Sequence, residues 1–186
     1  MWARLSTWLH RVSTWQVTLL ALVVFFAFSI LVLPGQSASM QEIAGGVGSP
    51  DTSLFYSAAD LYRMAETYGQ AGRDAYLRAR WTFDLVFPLV YGAFLATSIG
   101  WLFARGAPHG SPWQRANLAP VLAVLFDYIE NSLASLVMLL YPRHMPLLGV
   151  LASVSTVVKW ALVLSSFVLL LAGVVLNVCR WLRSRR

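Results

Sequence analysis

The chain has 186 residues, of which 58% are hydrophobic and 12% charged, whereas a water-soluble domain of this size carries about 25% charged residues. That balance excludes most soluble classes, and eight Trp, seven Tyr and ten Phe exclude disorder and low-complexity assembly. The net charge of +6 does not point to nucleic acid, because Arg180, Arg183, Arg185 and Arg186 crowd the last seven positions beside a long apolar run. Basic clusters so placed act as topology signals or touch anionic lipids. The single Cys179 excludes an internal disulfide and a Cys-based metal cage, and leaves acylation at a membrane edge open.

In chain order, the first apolar run is residues 15–33. Arg4 and Arg11 precede it and Ser37-Ala38-Ser39 follows, as in a cleaved signal sequence, but it exceeds the roughly 7 to 15 apolar residues usual there. It reads as a retained span. A loop over 34–82 comes next, whose Gly- and Ser-rich part from Gly35 to Pro50 reads as irregular chain, the stretch Gly45-Gly46-Val47-Gly48 included. From Ser57 the pattern changes. Ser57 with Asp60 resembles a capping box, Leu61, Met64 and Ala65 form one apolar face, and Gly69 is a plausible stop, which predicts a short amphipathic helix at the membrane interface.

A second helix is expected to start near Gly72 and run without a break through Arg105, kinked by Pro88, with residues 83–103 in the membrane. The runs 118–141 and 147–178 complete four segments close to or above the roughly 20 residues that span a hydrocarbon core. Short connections, Gly106 to Pro112 and Pro142 to Pro146, make consecutive spans antiparallel neighbours. The expected fold class is therefore all-α, one integral membrane domain over 1–186, a four-helix bundle with a short external amphipathic helix in its first loop. Arg4, Arg11, Arg105, Arg115 and the C-terminal arginines fall on one side. In the long loop Arg63, Arg73, Arg78 and Arg80 are outnumbered by Glu42, Asp51, Asp60, Glu66 and Asp74. The positive-inside rule then makes both termini cytoplasmic, in a bacterial inner membrane.

Candidate functional residues are the polar ones within these spans. Asp127, Glu130 and Asn131 are spaced i, i+3, i+4 and share a helix face. Ionised carboxylates at that depth cost about 2.5 to 3.5 kcal/mol each even on lenient scales and require partners or protons. Lys159 is the natural counter-charge: at 1.5 Å per residue it lies about 18 Å into its span, against about 16 and 21 Å for Glu130 and Asp127. Ala152, Ser155, Thr156 and Ser166 share its face, a small-residue stripe that lets helices approach. In the second span Arg73, Arg80, Asp84, Pro88 and Tyr91 fall on one face, with Arg80 and Asp84 as an i, i+4 pair at the mouth and Tyr91 about 12 Å in. Two deep acids and one base imply one retained proton. Lys159 is expected to contact Asp127 or Glu130; a scaffold would need only Asp127 with Lys159, so Glu130→Gln is expected to leave the protein folded.

His10, His109 and His144 lie in the tail and loops, so no His-carboxylate metal site is expected, and no nucleotide loop, nucleophile elbow or Cys-x-x-Cys is present. No cofactor is expected. No internal repeat of the kind common in secondary transporters is visible.

The runs Gly72-Arg73-Asp74-Ala75-Tyr76, Asp84-Leu85-Val86-Phe87-Pro88-Leu89-Val90-Tyr91, and Asp127-Tyr128-Ile129-Glu130-Asn131 with a later Lys159 resemble a set of functionally uncharacterised bacterial four-span membrane proteins. The resemblance covers roughly residues 57 to 175 and implies a fold without an activity. A more distant resemblance, through Asp84 and Phe87-Pro88, is to the emopamil-binding-protein superfamily of sterol isomerases and related ligand-binding proteins, whose pattern has no counterpart of the third-span acids or Lys159.

These readings converge on a polar pocket for a lipid or amphipathic small molecule, formed by Arg80, Asp84, Tyr91, Asp127, Glu130, Asn131 and Lys159. Acid/base chemistry would fall to Asp127, Glu130 and Lys159. A proton-coupled carrier or channel subunit, and an assembly or scaffold protein, are the alternatives. Expected partners are membrane lipids and the ligand, with homo-oligomerisation left open.

Overall fold

The computed structural model describes residues 1–108 and 111–185. His109 and Arg186 lie outside the described residues, as does the side chain of Asp51. All regular structure among the described residues is helical: α1 (Trp2–Val12), α2 (Trp15–Leu31), α3 (Leu33–Ala44), α4 (Ala58–Thr67), α5 (Gly69–Arg80), α6 (Phe83–Gly106), α7 (Ala119–Leu140) and α8 (Pro146–Ser184), with 3-10 turns at Pro50–Thr52 and Pro112–Leu118. Four stretches are long and apolar enough to cross a membrane: Trp15–Ala44, Gly69–Gly106, Pro112–Leu140 and Pro146–Ser184. Within the first of them, α2 is apolar on every side and has no buried residue. In water such a helix would be an untenable exposed surface, whereas in lipid it needs no protein cover.

The contacts divide the chain into two compact units. The first comprises Met1–Phe26, Val90–Ala123 and Ala161–Arg186. Its N-terminal residues are not the tail expected from the sequence but the amphipathic helix α1, with Ser6 and Leu9 on its buried face. Ser6 Oγ donates to Asn117 Oδ1 at 2.8 Å and Asn117 Nδ2 returns a bond to the Ser6 carbonyl at 3.1 Å. His10 lies with Nδ1 3.1 Å from the Gly100 carbonyl and Nε2 2.6 Å from that of Gln114. Phe25 stacks on Phe94 with centroids 4.8 Å apart.

The second unit comprises Ala27–Leu89 and Val124–Trp160. Its core gathers Met40, Ala44, Leu61, Tyr62, Met64, Ala65, Tyr68 and Tyr76 with Ala134, Val137, Met138 and Ala152. Two expectations are corrected here. Residues 35–44, read as irregular, are helical: Met40 and Ala44, i and i+4, bury one face on this core, and Ser39 Oγ turns back to the Gly35 carbonyl at 3.1 Å. Burial of that face outweighs the low helix propensity of Gly and Ser. The helix ends where Gly45 takes φ +54°, a conformation glycine adopts without steric cost.

The helix expected to run unbroken to Arg105 is interrupted at Trp81-Thr82. There the Thr82 hydroxyl takes the Arg78 carbonyl at 2.6 Å, competing with the helical ladder. Pro88, the expected site of distortion, lies inside α6 without ending it.

The helix expected from Ser57 onward forms, as α4. Ser57 Oγ accepts from the Asp60 amide at 3.1 Å and Asp60 Oδ2 accepts from the Ser57 amide at 2.9 Å, so the capping box is complete; Leu61, Tyr62, Met64 and Ala65 are buried. Gly69 follows at φ +60°. Arg73 staples α5 to α4, donating from Nη1 to the Ala65 carbonyl at 2.8 Å, while its guanidinium lies over the Tyr141 ring. The start of α4 also rests on α8. A Cβ added at Gly149 would stand 2.8 Å from Ala58 Cβ and 3.1 Å from its Cα, so backbone would have to move. Gly149→Ala should therefore lower stability by about 1 to 3 kcal/mol, the usual cost of overpacking. Gly35→Ala, which meets nothing within 4 Å, should be neutral or stabilising. Thermal melts in detergent compare the two directly.

Candidate functional site

Six of the seven residues singled out from the sequence belong to the second unit: Arg80, Asp84, Asp127, Glu130, Asn131 and Lys159. Tyr91 belongs to the first unit, where it is buried. The six are grouped around an ion pair. Lys159 on α8 binds Glu130 Oε2 on α7, with side chains 6% and 1% exposed. The expected contact of Lys159 with one of the two acids is therefore made, and made by Glu130, which is not the acid the lysine could spare. Three residues along α7 rotate the side chain by about 60° net, and glutamate is one methylene longer. Glu130 lies in the interior while Asp127 stays half-buried and accepts from Asn131 Nδ2 at 3.2 Å.

The other carboxylate oxygen, Glu130 Oε1, lies 2.7 Å from Thr156 Oγ1, which is also 2.9 Å from the Tyr56 hydroxyl. Threonine has one proton to give, and an ionised carboxylate is the stronger acceptor. The consistent arrangement has Tyr56 donating to Thr156 and Thr156 donating to Glu130. Phenol, hydroxyl, carboxylate and ammonium then form one unbroken line. Burial, and secondarily the charge of Glu130, push the Tyr56 phenol above its ordinary range.

Tyr56 is delivered by an irregular strap between the 3-10 turn and α4. The strap is sewn to α8 through Ser153, Thr156 and Trp160, spaced i, i+3, i+7 on one helix face. Ser153 Oγ donates to the Tyr56 carbonyl, Thr156 meets the Tyr56 hydroxyl, and Trp160 Nε1 donates to the Ser53 carbonyl at 3.0 Å. Leu54 and Phe55, between these points, are exposed.

Arg80 and Asp84 are joined at 2.5 Å across the interruption between α5 and α6, with side chains 3% and 13% exposed. The Arg80 side chain is buried and that of Asp84 nearly so. Arg80 also lies over the Tyr76 ring, 4.6 Å from its centroid, and Tyr128 on α7 donates to the Leu85 carbonyl at 2.7 Å, beside Asp84. Tyr76 Oη, Asn131 Oδ1 and Ser135 Oγ, all in this unit, are buried polar atoms with no hydrogen-bond partner among the described residues.

Tyr56, Tyr76 and Ser135 are the residues that sequence reasoning did not assign. Ser135 had a signal, since it continues the Asp127, Asn131 series at four-residue spacing. Tyr56 had none, because an irregular strap has no periodicity. No protein-family model matches the chain, and comparisons with curated proteins and with solved structures give no match.

Lys159→Met should be strongly destabilising, by about 3 to 5 kcal/mol, because Glu130 is left buried without its counter-charge. Adding Glu130→Gln should restore part of that loss and adding Asp127→Asn should not. Melting temperatures in one detergent distinguish them, and equal rescue by both would argue against a specific pair.

The phenols predict a response to alkali. Burial pushes Tyr68 up to about 12 and Tyr56 also upward. A phenol whose folded pKa exceeds its unfolded value near 10 contributes stability fully below that value, and the contribution is lost as pH rises through the folded pKa. The melting temperature should fall progressively above pH 10, less steeply in Tyr56→Phe and Tyr68→Phe.

Proposed function

We propose that this chain is a multi-pass protein of the bacterial inner membrane, with both termini cytoplasmic, whose four apolar helices form a bundle around a buried polar site for a lipid or other amphipathic small molecule. The sidedness rests on Arg4, Arg11, Arg105, Arg115 and the C-terminal arginines, set against an acid-rich first loop. The observation that carries the ligand reading is unused hydrogen-bonding capacity. Glu130 and Lys159 satisfy each other, yet Tyr76 Oη, Asn131 Oδ1 and Ser135 Oγ are buried without partners in the same unit. A cluster serving only as inter-helix glue gains nothing from orphaned groups, each of which costs about 1 to 3 kcal/mol of desolvation. A ligand hydroxyl or amide would supply what they lack, with an apolar body continuing into lipid.

A second reading follows from the line of Tyr56, Thr156, Glu130 and Lys159. Four exchangeable groups in hydrogen-bond sequence favour proton movement, as acid/base chemistry on the ligand or as coupling in a carrier. This reading uses the same site and differs in what happens to the ligand.

The decisive experiment is mass spectrometry of the protein in native lipid particles, wild type against Tyr76→Phe/Ser135→Ala. An amphiphile present near one per chain in the wild type should fall at least tenfold in the variant. The ligand-stripped variant should melt at or above the wild-type temperature, since two orphaned groups are gone. Unchanged retention, or no amphiphile in either, would return the cluster to a purely structural role.

A further inference from the structure

All eight acidic residues of the chain lie in the second unit. The first unit holds eight arginines, Arg4, Arg11, Arg105, Arg115, Arg180, Arg183, Arg185 and Arg186, and no aspartate or glutamate. No guanidinium there can meet a side-chain carboxylate of its own unit.

Two of these arginines are held at one corner. Arg105, in the last turn of α6, donates from Nη1 to the Trp101 carbonyl at 3.2 Å and lies over the Trp101 ring, 4.4 Å from its centroid. Arg180, on α8, donates from Nη1 to the carbonyl of Arg105 itself. The two helices are in near contact here. A Cβ added at Gly106 would stand 2.8 Å from Asn177 Nδ2, one added at Gly173 would stand 3.0 Å from Leu102 Cβ, and Asn177 Nδ2 donates to the Leu102 carbonyl at 3.0 Å.

A guanidinium has five N–H donors, and a helix-end carbonyl engages one from each of these arginines. The remaining donors of both exposed side chains are available to a planar or tetrahedral oxyanion, which arginine grips bidentately. The surroundings select the kind of anion. Val175, Leu176 and Val178, in the part of α8 that precedes Arg180 toward the apolar span, are large, apolar and exposed. A free phosphate would leave them uncovered, and acyl chains would not.

We propose that Arg105 and Arg180 form a site for the phosphate of one anionic phospholipid, its acyl chains lying along the exposed apolar residues of α8. Ordinary capping of helix-end carbonyls by arginine, which needs no ligand, is the competing account, and a diffuse attraction of the whole basic surface for anionic lipid is another.

Native mass spectrometry of the full chain in detergent separates these, titrating phosphatidylglycerol, phosphatidylcholine of the same acyl composition, and inorganic phosphate. The wild type should retain one phosphatidylglycerol at least tenfold more strongly than phosphatidylcholine. Arg105→Gln/Arg180→Gln should abolish that preference, and Arg4→Gln/Arg11→Gln should change it less than twofold. Equal loss in both variants would replace the site by diffuse charge, equal retention of the two lipids would leave only capping, and displacement by millimolar inorganic phosphate would overturn the lipid assignment. If the double Gln variant does not fold, Arg105→Lys/Arg180→Lys, which keeps both charges but not the planar fork, takes its place. A fivefold or larger drop in preference supports the site, and unchanged preference overturns it.

Discussion

An ammonium and a carboxylate withdrawn from water each lose several kcal/mol of solvation, and only close pairing with further hydrogen bonds offsets it. The second unit is organised around that constraint at Lys159 and Glu130. α7 and α8 must bring these side chains to a common level, which fixes the register of the two helices as surely as any apolar contact. Ala134 and Ala152, both fully buried, leave room for the approach. Thr156 adds a hydroxyl donor to Glu130 Oε1 on the same interface.

The same constraint accounts for the chain outside the long helices. Tyr56 can donate into the Thr156–Glu130 line only if the strap bearing it is held against α8, and Ser153 and Trp160 hold its carbonyls there. The strap in turn fixes where α4 begins, through the Ser57 capping box and the contact of Ala58 with Gly149. Arg73 secures the far end of α4 at the Ala65 carbonyl. A polar demand in the interior thus propagates outward into the placement of a surface helix, one hydrogen bond at a time.

What the sequence made legible divides along physical lines. Long apolar runs, a Ser57–Asp60 cap and an i, i+3, i+4 acid series are local signals, and local rules read them: the four apolar stretches, α4, and the shared face of Asp127, Glu130 and Asn131. The choice between Asp127 and Glu130 as partner of Lys159 depended on side-chain length and a rotation of about 60°, finer than a depth estimate resolves. Residues 35–44 were misread because a Gly- and Ser-rich composition says nothing about Met40 and Ala44 finding a core. The interruption at Trp81-Thr82 was missed because neither Gly nor Pro stands there, and the one distortion expected of this helix was a kink at Pro88. α1 escaped notice because its attachments, Ser6 to Asn117 and His10 to Gly100 and Gln114, are more than 85 residues distant in sequence.

The strap from Ser53 to Ser57 has one more consequence, and it concerns time. A buried charge pair enclosed only by packed helices would meet solvent or ligand at the rate of global opening. Here one wall is five residues of irregular chain, fastened at three points on α8 and carrying two exposed apolar side chains, Leu54 and Phe55, on its outer side. Irregular, partly exposed segments are drawn from the part of a fold that opens locally, below the free energy of global unfolding. Opening this wall means breaking three hydrogen bonds and withdrawing one ring, Tyr56, from the core, a smaller demand than separating two packed helices.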